Sequence, residues 1–490
     1  MQPLTDGACA QPVTLDTDRS GYRRGLLALR AGELDEAVTL LTQAVRAHPL
    51  DAGMRRNLVR ALLADRRFGQ VVTEASYALS LVPDDAELNC ALGTALGGIG
   101  QPAPACAAFA RAIALRPDHA PSWLNFGNVA ADMDDVASAE ALYRTAIRLD
   151  PGLPEAHASL GYVLTMQGRL AEAIAACEAA IRVAPDLAMA HLNLATAVLL
   201  GGDLARGFAA YEWRKRVAAY QRDFPALDGP AWDGGAVRGR TILVRGEQGF
   251  GDTIQCARYL ALIRDAGGRP VMTCATALVP LIRSMTGVVT IPVGSALPPY
   301  DAHVDLMSLP HAFRTTLDSI PLPDGYLSAD ADRVRAWRAR LPPGPKIGVV
   351  LSGNPLHRAD ARRSIPVELA APLLRVPGVS FVNLQHGPAA RALGLPDLTG
   401  WMTDYAETAA LVANLDLVIS VDTSAAHLAG ALGTPALVLL PVAPDWRWML
   451  GRPDSPWYGS VRLFRQARAG DWPGVIAAVT QCVSRAFSSL

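Results

Sequence analysis

Residues 246–253 have the sequence GEQGFGDT and place one acidic side chain in a glycine-rich loop, between an apolar run and a helical pattern. The spacing nearly matches a phosphate-binding P-loop, but Asp252 occupies the lysine position, and a carboxylate there would repel phosphates. The sequence therefore disfavours ATP hydrolysis, and Ile254 in place of a third glycine disfavours dinucleotide binding. Two interpretations of Asp252 stay open. It caps the N-terminus of the next helix, or it is a general base that takes a proton from an attacking hydroxyl.

A second polar set follows a buried apolar run, in the segment SVDTSAAHLAG at 420–430. The hydroxyls of Thr423 and Ser424, together with the N–H groups and dipole of a helix N-terminus, predict a diphosphate site. Asp422 either caps the helix or binds a sugar hydroxyl. His427 either donates to a phosphate or packs behind the loop.

A third set lies in the basic segment GNPLHRADARRSIP at 353–366, which begins with Gly353 and Asn354 after another apolar run. Three arginines outnumber one aspartate, which suits a leaving diphosphate, and the alternative is a solvated loop. His357 and Asp360 raise the question of a metal site, but no further ligand cluster accompanies them. We therefore expect no metal and no cofactor.

Short apolar runs alternate with helical stretches in the second half of the chain, and they must position these three loops. Such a pattern predicts parallel sheets covered by helices on both faces. A Pro-rich break at 342–345 indicates two sheets, and ligands of such folds bind beyond the carboxyl ends of the strands. The predicted strands are 241–246, 270–275, 288–293, 346–351, 379–384, 416–421 and 436–440.

The first half of the chain contains an internal repeat of 34 residues. Proline recurs at this spacing and alanine stands five residues before each proline, at Pro49, Pro83, Pro117, Pro151, Pro185, Ala44, Ala78, Ala112, Ala146 and Ala180. The prolines end helices, and the small residues let paired helices approach closely. Stacked helical hairpins form a superhelix whose concave face commonly holds a peptide or partner protein. The alternative is that the array only dimerises the protein or supports the second half.

The repeats are predicted over 18–220, with five clear units and a degenerate sixth from about 188 to 216. A Pro- and Gly-rich linker follows at 221–239, and residues 1–17 are expected to form a disordered tail without a secretory signal. A length of 490 residues agrees with two or three such domains.

The composition of the chain excludes several classes of function and indicates a cellular compartment. Basic and acidic residues number 45 and 46, so no global field favours nucleic acid or an anionic membrane. Seven widely spaced cysteines without a CxxC pair fit a reducing compartment. The longest uncharged runs are interrupted by Gly and Pro, so no transmembrane segment is expected. The predicted location is the cytoplasm.

Two family resemblances rest on these residues. The first half resembles the tetratricopeptide repeat, with its best unit at 123–151. Residues 240–480 look like glycosyltransferase family 9, the lipopolysaccharide heptosyltransferase family. The motifs that carry this are GDTIQCARYL, GNPLHRADARRSIP and VISVDTSAAHLAGALGTP, followed by PDWRWML, SPWY, RLFRQ and GDW. The resemblance implies an all-α tetratricopeptide superhelix followed by an α/β glycosyltransferase B fold of two facing Rossmann-like domains. These would be an acceptor-side half at 240–342 and a donor-side half at 343–490.

The same resemblance implies roles for individual residues. Asp252 matches the proposed base of the family, within an acceptor-side loop. Arg363 approximates a basic residue near the leaving group. The other members of the loops are expected to bind the donor and its phosphates (Asp422, Thr423, Ser424, Ala425, His427, Gly353 and Asn354) or to shape the acceptor side (Gly249, Gly251 and Thr253). Ser424 replaces a glycine usual in heptosyltransferases, so a donor other than ADP-heptose stays open.

The sequence thus predicts a metal-independent, inverting glycosyltransferase that uses a nucleotide sugar and a protein or glycan acceptor. The repeats would recruit the acceptor or a partner protein, by analogy with O-linked N-acetylglucosamine transferases, which join similar repeats to a glycosyltransferase B fold. The alternative from another class is a non-catalytic scaffold with an inactive glycosyltransferase-like domain.

Overall fold

The computed structural model describes residues 15–321, 324–355, 360–386 and 392–487. The chain forms two compact units: one runs to Val163 and includes Ala179–Pro185, and the other comprises Leu164–Glu178 and the chain from Asp186 onward. Of the predicted tail at 1–17, residues 1–14 lie outside the described part, and the first helix already begins at Leu15. No helix in the described ranges is long and apolar enough to cross a membrane.

The first half is all-helical, and its helices pair into hairpins. The helices are α1 Leu15–Ala31, α2 Leu34–Ala47, α3 Ala52–Ala64, α4 Phe68–Leu81, α5 Ala86–Gly98, α6 Pro102–Leu115, α7 Ala120–Asp132, α8 Val136–Leu149, α9 Pro154–Met166, α10 Leu170–Val183, α11 Ala188–Leu200 and α12 Leu204–Tyr211. Each repeat proline lies two residues beyond the end of a helix, as its missing N–H requires.

Small residues set the spacing within these hairpins. The five repeat alanines are buried. A Cβ on Gly93 would lie 2.9 Å from the ring of Phe109, and one on Gly127 would lie 2.6 Å from the ring of Tyr143. Only glycine therefore allows the two helices of these hairpins to approach as closely as they do.

The second half contains two parallel sheets. The first has the strand order β3-β2-β1-β4 and the second has the order β6-β5-β7-β8-β9, with every neighbouring pair parallel. The strands are β1 Thr241–Arg245, β2 Arg269–Cys274, β3 Val289–Pro292, β4 Ala302–Asp305, β5 Lys346–Val350, β6 Ser380–Asn383, β7 Leu417–Val421, β8 Ala436–Leu440 and β9 Val461–Arg465. All seven predicted strands are present, and β4 and β9 are additional.

Short helices connect and cover these strands. The α-helices are α13 Ala218–Asp223, α14 Phe250–Cys256, α15 Arg258–Asp265, α16 Val279–Ile282, α17 Leu309–Ala312, α18 Ala331–Arg338, α19 Asp360–Arg363, α20 Ala371–Leu374, α21 Tyr405–Val412, α22 Ser424–Leu432 and α23 Trp472–Phe487. Single-turn 3₁₀ helices span Glu212–Arg216, Thr276–Leu278, Leu306–Ser308, Leu317–Ser319, Val367–Ala370, Thr399–Trp401 and Trp446–Trp448.

The last repeat hairpin belongs to the second compact unit. Leu200 and Phe208, from α11 and α12, are each 1% exposed and lie in the same hydrophobic core as residues of β1 and α22. The predicted repeat boundary at residue 220 therefore does not separate the compact units. The physical reason is that the apolar face of this hairpin is buried by the sheet region, which a repeat pattern read along the sequence cannot show.

Candidate active site

The three predicted loops follow β1, β5 and β7, at the carboxyl ends of parallel strands. Two of them are in direct contact within the second unit. A Cβ on Gly251, at the start of α14, would lie 2.7 Å from Cδ2 of His427 on α22. Glycine at this position therefore lets the loop that carries Asp252 lie against the helix that follows Asp422.

Asp252 has both carboxylate oxygens engaged. Its Oδ2 accepts a hydrogen bond of 2.8 Å from the backbone N–H of Gly249, and its Oδ1 forms an ion pair with the guanidinium of Arg447. The hydroxyl of Thr253 donates to the carbonyl of Gly249 at 3.1 Å, which closes the first turn of α14. The bond to Gly249 is the capping interaction that the sequence allowed, and the side chain still keeps 20% of its surface exposed.

Arg447 is the central cation of the site, and sequence reasoning gave it no role. It also donates to Asp445 at 2.7 Å and to Oε1 of Gln255 at 2.6 Å, and it stacks on the ring of Trp446. Burial lowers its pKa, but the carboxylates Asp252 and Asp445 outweigh burial and hold the pKa well above the ordinary arginine value. The available signal was the motif PDWRWML, which carries part of the family resemblance.

Asp422 directly follows β7, and 15% of its side chain is exposed. Burial, and then the neighbouring charge of Asp445, raise the pKa of its carboxyl to about 6, against opposing effects of Trp448 and Arg363. Its backbone carbonyl accepts a hydrogen bond of 2.9 Å from Nη1 of Arg363. The loop after β5 and the loop after β7 are thereby joined through Arg363.

His427 is packed behind the loop. Its Nδ1 pairs with the hydroxyl of Tyr458 at 2.8 Å, its ring stacks on Trp448 with centroids 5.2 Å apart, and it is 4% exposed. Its Nε2 lies 3.9 Å from Oδ1 of Asp422. Burial first, and then the charge of Arg447, hold the pKa of His427 well below its ordinary value, so the ring is neutral. This placement corresponds to the packing interpretation.

The start of α22 offers donors beside Arg363. Thr423 has an extended backbone and makes no side-chain cap to the helix, while its hydroxyl pairs with that of Ser420 at 2.9 Å. The hydroxyl of Ser424 pairs with that of Tyr405 at 2.5 Å, and Ala425 is buried. The N-terminus of a nine-residue helix is therefore bordered by small side chains.

Within the loop after β5, the carboxylate of Asp360 accepts hydrogen bonds from two side chains of the same loop. Asp360 accepts from Nε of Arg363 at 3.1 Å and from the hydroxyl of Ser364 at 3.0 Å. The hydroxyl of Ser364 accepts from the N–H of Gly353 at 3.1 Å, and a Cβ on Gly353 would lie 2.6 Å from the Arg363 guanidinium. Asn354 is exposed.

His357 and its neighbours at 356–359 lie outside the described residues. Within the ranges that the structure describes, no group of three or more His, Cys, Asp or Glu residues is arranged to hold a metal ion.

Family models match both halves of the chain. The tetratricopeptide repeat model matches residues 22–86, 90–154, 124–188 and 167–213. The model of glycosyltransferase family 9 (heptosyltransferase) matches residues 398–458. That segment contains Asp422 and Arg447 but does not reach Asp252 and Arg363, which lie N-terminal to it.

Individual proteins are also similar to parts of this chain. Protein FlbA of Caulobacter vibrioides is 31% identical over 287 residues, which is 52% of this chain and 48% of FlbA, so the match spans about half of that relative. Among solved structures, a thermophilic tetratricopeptide repeat protein of Thermus thermophilus is 26% identical, with a TM-score of 0.33, over 37% of this chain and 99% of its own. The type IV pilus biogenesis factor PilW is 22% identical, with a TM-score of 0.36. The match covers 44% of this chain and 97% of the PilW chain. The chain thus joins a tetratricopeptide repeat array to a region similar to glycosyltransferase family 9.

Proposed function

We propose that the chain transfers a sugar from a nucleotide diphosphate sugar to an acceptor hydroxyl, with inversion and without a metal. The observation that carries this proposal is the convergence of three strand-end loops. Asp252, Asp422 and Arg363 come from the loops after β1, β7 and β5, and the contacts of Arg447 and Arg363 join them. In this proposal the two parallel sheets, at 240–342 and 343–490, act as the facing acceptor and donor halves of a glycosyltransferase B fold.

The chemical step is a single displacement. The acceptor oxygen forms a bond to the anomeric carbon as the bond from that carbon to the diphosphate oxygen breaks, and the electron pair leaves with the diphosphate. Asp252 takes the proton of the acceptor hydroxyl. The N-terminus of α22 at Thr423 and Ser424, together with Arg363, stabilises the negative charge of the departing diphosphate, which is work that oriented donors and a guanidinium can perform.

The ion pair between Asp252 and Arg447 suggests the order in which donor and acceptor react with the site. Each oxygen of the Asp252 carboxylate already has one partner, the guanidinium of Arg447 or the N–H of Gly249, so an acceptor hydroxyl must compete with Arg447 for this group. A bound diphosphate offers Arg447 a further anion beside Asp252 and Asp445, so donor binding would weaken the ion pair and leave Asp252 available to accept a proton. Acceptor activation would then follow donor binding.

The repeats are proposed to recruit a protein or glycan acceptor, or a partner protein on the concave face, and the cytoplasm is the proposed location. The repeat array supports this role because stacked hairpins offer extended binding surfaces.

A second candidate function is a non-catalytic scaffold that retains the fold. The occupied oxygens of Asp252 are the observation that favours it.

A nucleotide panel tests the transferase. Melting temperature is measured with ADP, UDP, GDP and CDP and with the corresponding sugar conjugates. The proposal expects a rise with one base and its sugar, and loss of the rise in Arg363→Gln but not in Arg375→Gln, an exposed arginine of the same half. A scaffold without a donor site would show no rise with any of them.

A further inference from the structure

The terminal hairpin, which we define as residues 188–216, comprises α11, α12 and the 3₁₀ helix Glu212–Arg216. Although it continues the repeat pattern, it lies in the compact unit that contains both sheets. Its buried side chains therefore contact residues that no repeat supplies.

The strongest of these contacts is a buried ion pair. Arg214 donates from Nε to Oε2 of Glu247 at 3.0 Å and from Nη2 to Oε1 at 2.6 Å. The side chain of Arg214 is 4% exposed and that of Glu247 is 0% exposed. Burial lowers the pKa of Arg214, but the carboxylate of Glu247 raises it by more, so the guanidinium stays charged. Oε1 of Glu247 also accepts from the N–H of Met307 at 2.8 Å, and the hydroxyl of Ser308 accepts from Nη2 of Arg214 at 2.8 Å.

Glu247 belongs to the loop that carries Asp252. The next residue, Gln248, has a φ of 65°, in the left-handed region that non-glycine residues rarely adopt. Its side-chain amide donates to the hydroxyl of Tyr211 at 3.3 Å. The terminal hairpin thus holds two successive residues of the loop, five and four positions before Asp252, in a conformation that the loop would not favour alone.

The terminal hairpin also contacts the loop that carries Arg447. The ring of Phe208 meets that of Trp446 edge-on, with centroids 5.4 Å apart, and the N–H of Leu450 donates to the carbonyl of Leu200 at 3.3 Å. Both partners of the Asp252–Arg447 pair therefore lie on loops fixed by one hairpin.

We infer that the terminal hairpin is a component of the catalytic body, and that Arg214 is a positioning residue that sets the loop of Asp252 through Glu247. The inference rests on the proposed function for its catalytic consequence, whereas the positioning itself is independent of which reaction occurs. Recruitment by the array would then involve the repeats that precede this hairpin.

Hydrogen–deuterium exchange of the full chain, followed by mass spectrometry, tests the positioning. Arg214→Met is compared with Arg206→Met, which removes an arginine of α12 whose ion pair with Glu178 is exposed. We expect amides of 247–256 to exchange at least tenfold faster in Arg214→Met, with α22 and β7 unchanged, and no change in Arg206→Met. Equal exchange of 247–256 in the two variants would overturn the inference, as would uniform acceleration over the whole unit.

Two further variants keep the test decisive if Arg214→Met does not fold. The double variant Arg214→Met/Glu247→Gln leaves no unpaired buried charge, and it should fold with the loop still exchanging fast. Arg214→Lys keeps the charge but loses the two-point contact, and it should give intermediate exchange. Wild-type exchange in both would contradict a positioning role.

The effect on catalysis is measured as the rate of sugar transfer, with the nucleotide sugar that most raises the melting temperature as donor. Arg214→Met should lower kcat at least tenfold with donor KM within twofold, and Arg214→Lys should restore part of kcat. An increase in KM alone would contradict the role. If no variant and no wild-type protein transfers sugar, the proposed function fails while the exchange result still decides whether Arg214 positions the loop.

Discussion

Asp252 and Arg447 are separated by 195 residues in the sequence and form an ion pair that joins the loop after β1 to the loop after β8. The guanidinium also binds Asp445, so one buried cation satisfies two acids. The candidate base is consequently held by a partner from the other sheet region, and the site depends on both sheets being folded.

Replacing Arg447 by Met should destabilise the second unit by about 1.5–3 kcal/mol, because the partly exposed carboxylates of Asp252 and Asp445 lose the buried guanidinium that binds them. Urea unfolding followed by the fluorescence of the buried tryptophans measures this. The control is Arg452→Met, whose arginine pairs with Asp454, an acid that is 61% exposed, and it should change stability by less than about 1 kcal/mol. Equal stability of the two variants would show that the Arg447 cluster contributes nothing.

Asp422→Asn should stabilise the protein at alkaline pH. The folded-state pKa of Asp422 is raised to about 6 from its ordinary value of 3.8, so the stability that protonation contributes is present below pH 4 and is lost as the pH rises through 6. Asparagine cannot ionise, so the variant does not lose this stability as the pH rises. The free energy of unfolding should rise by about 3 kcal/mol at pH 8 and be unchanged at pH 4. The exposed control Asp186→Asn should show no such trend, and a pH-independent effect of Asp422→Asn would refute the assignment.

Gly251→Ala should destabilise the contact between α14 and α22. The new methyl group would lie 2.7 Å from His427, which is buried between Tyr458 and Trp448 and has little room to shift. Overpacking of this kind costs about 1–3 kcal/mol. Gly400→Ala, where a methyl group meets no atom within 4 Å, is the control. Thermal unfolding of the two variants gives the comparison, and an unchanged Gly251→Ala protein would mean that the helices separate without cost.

The strand pattern was clearest where every residue of a strand is buried. β7 and β8 are buried at all positions, and their runs LVISV and ALVLL are continuous. β4, with the sequence AHVD, and β9, with VRLFR, were missed because both carry charged residues and lie at the edges of their sheets. The pairing of an edge strand depends on its neighbour more than on its own pattern.

The site was only partly predictable for a related reason. Strand-end loops are marked in the sequence by glycines and small polar residues, so Asp252, Asp422 and Arg363 stood out. Arg447 and Arg214 did not, because an arginine shows its role only through its partner. Those partners lie 195 and 33 residues away, and a single sequence carries no record of such pairing.

Truncation tests where the catalytic body begins. A chain of residues 164–490 keeps the terminal hairpin and should unfold cooperatively, as judged by circular dichroism. A chain of residues 217–490 lacks the hairpin, so it exposes the core residues that Leu200 and Phe208 cover and leaves Glu247 without its cation. It should aggregate or lose its cooperative transition. Matching melting curves for the two chains would show that the hairpin is dispensable.

The rate of nucleoside diphosphate release by Asp252→Asn, with donor and acceptor present, measures whether Asp252 is the general base. Asparagine preserves size and the capping bond to Gly249 but cannot take a proton. We predict a fall in kcat of about 10²–10⁴-fold with donor binding retained, while replacement of an exposed acid in Asp454→Asn keeps the wild-type rate. Transfer by Asp252→Asn at near the wild-type rate would contradict the assignment of Asp252 as the base.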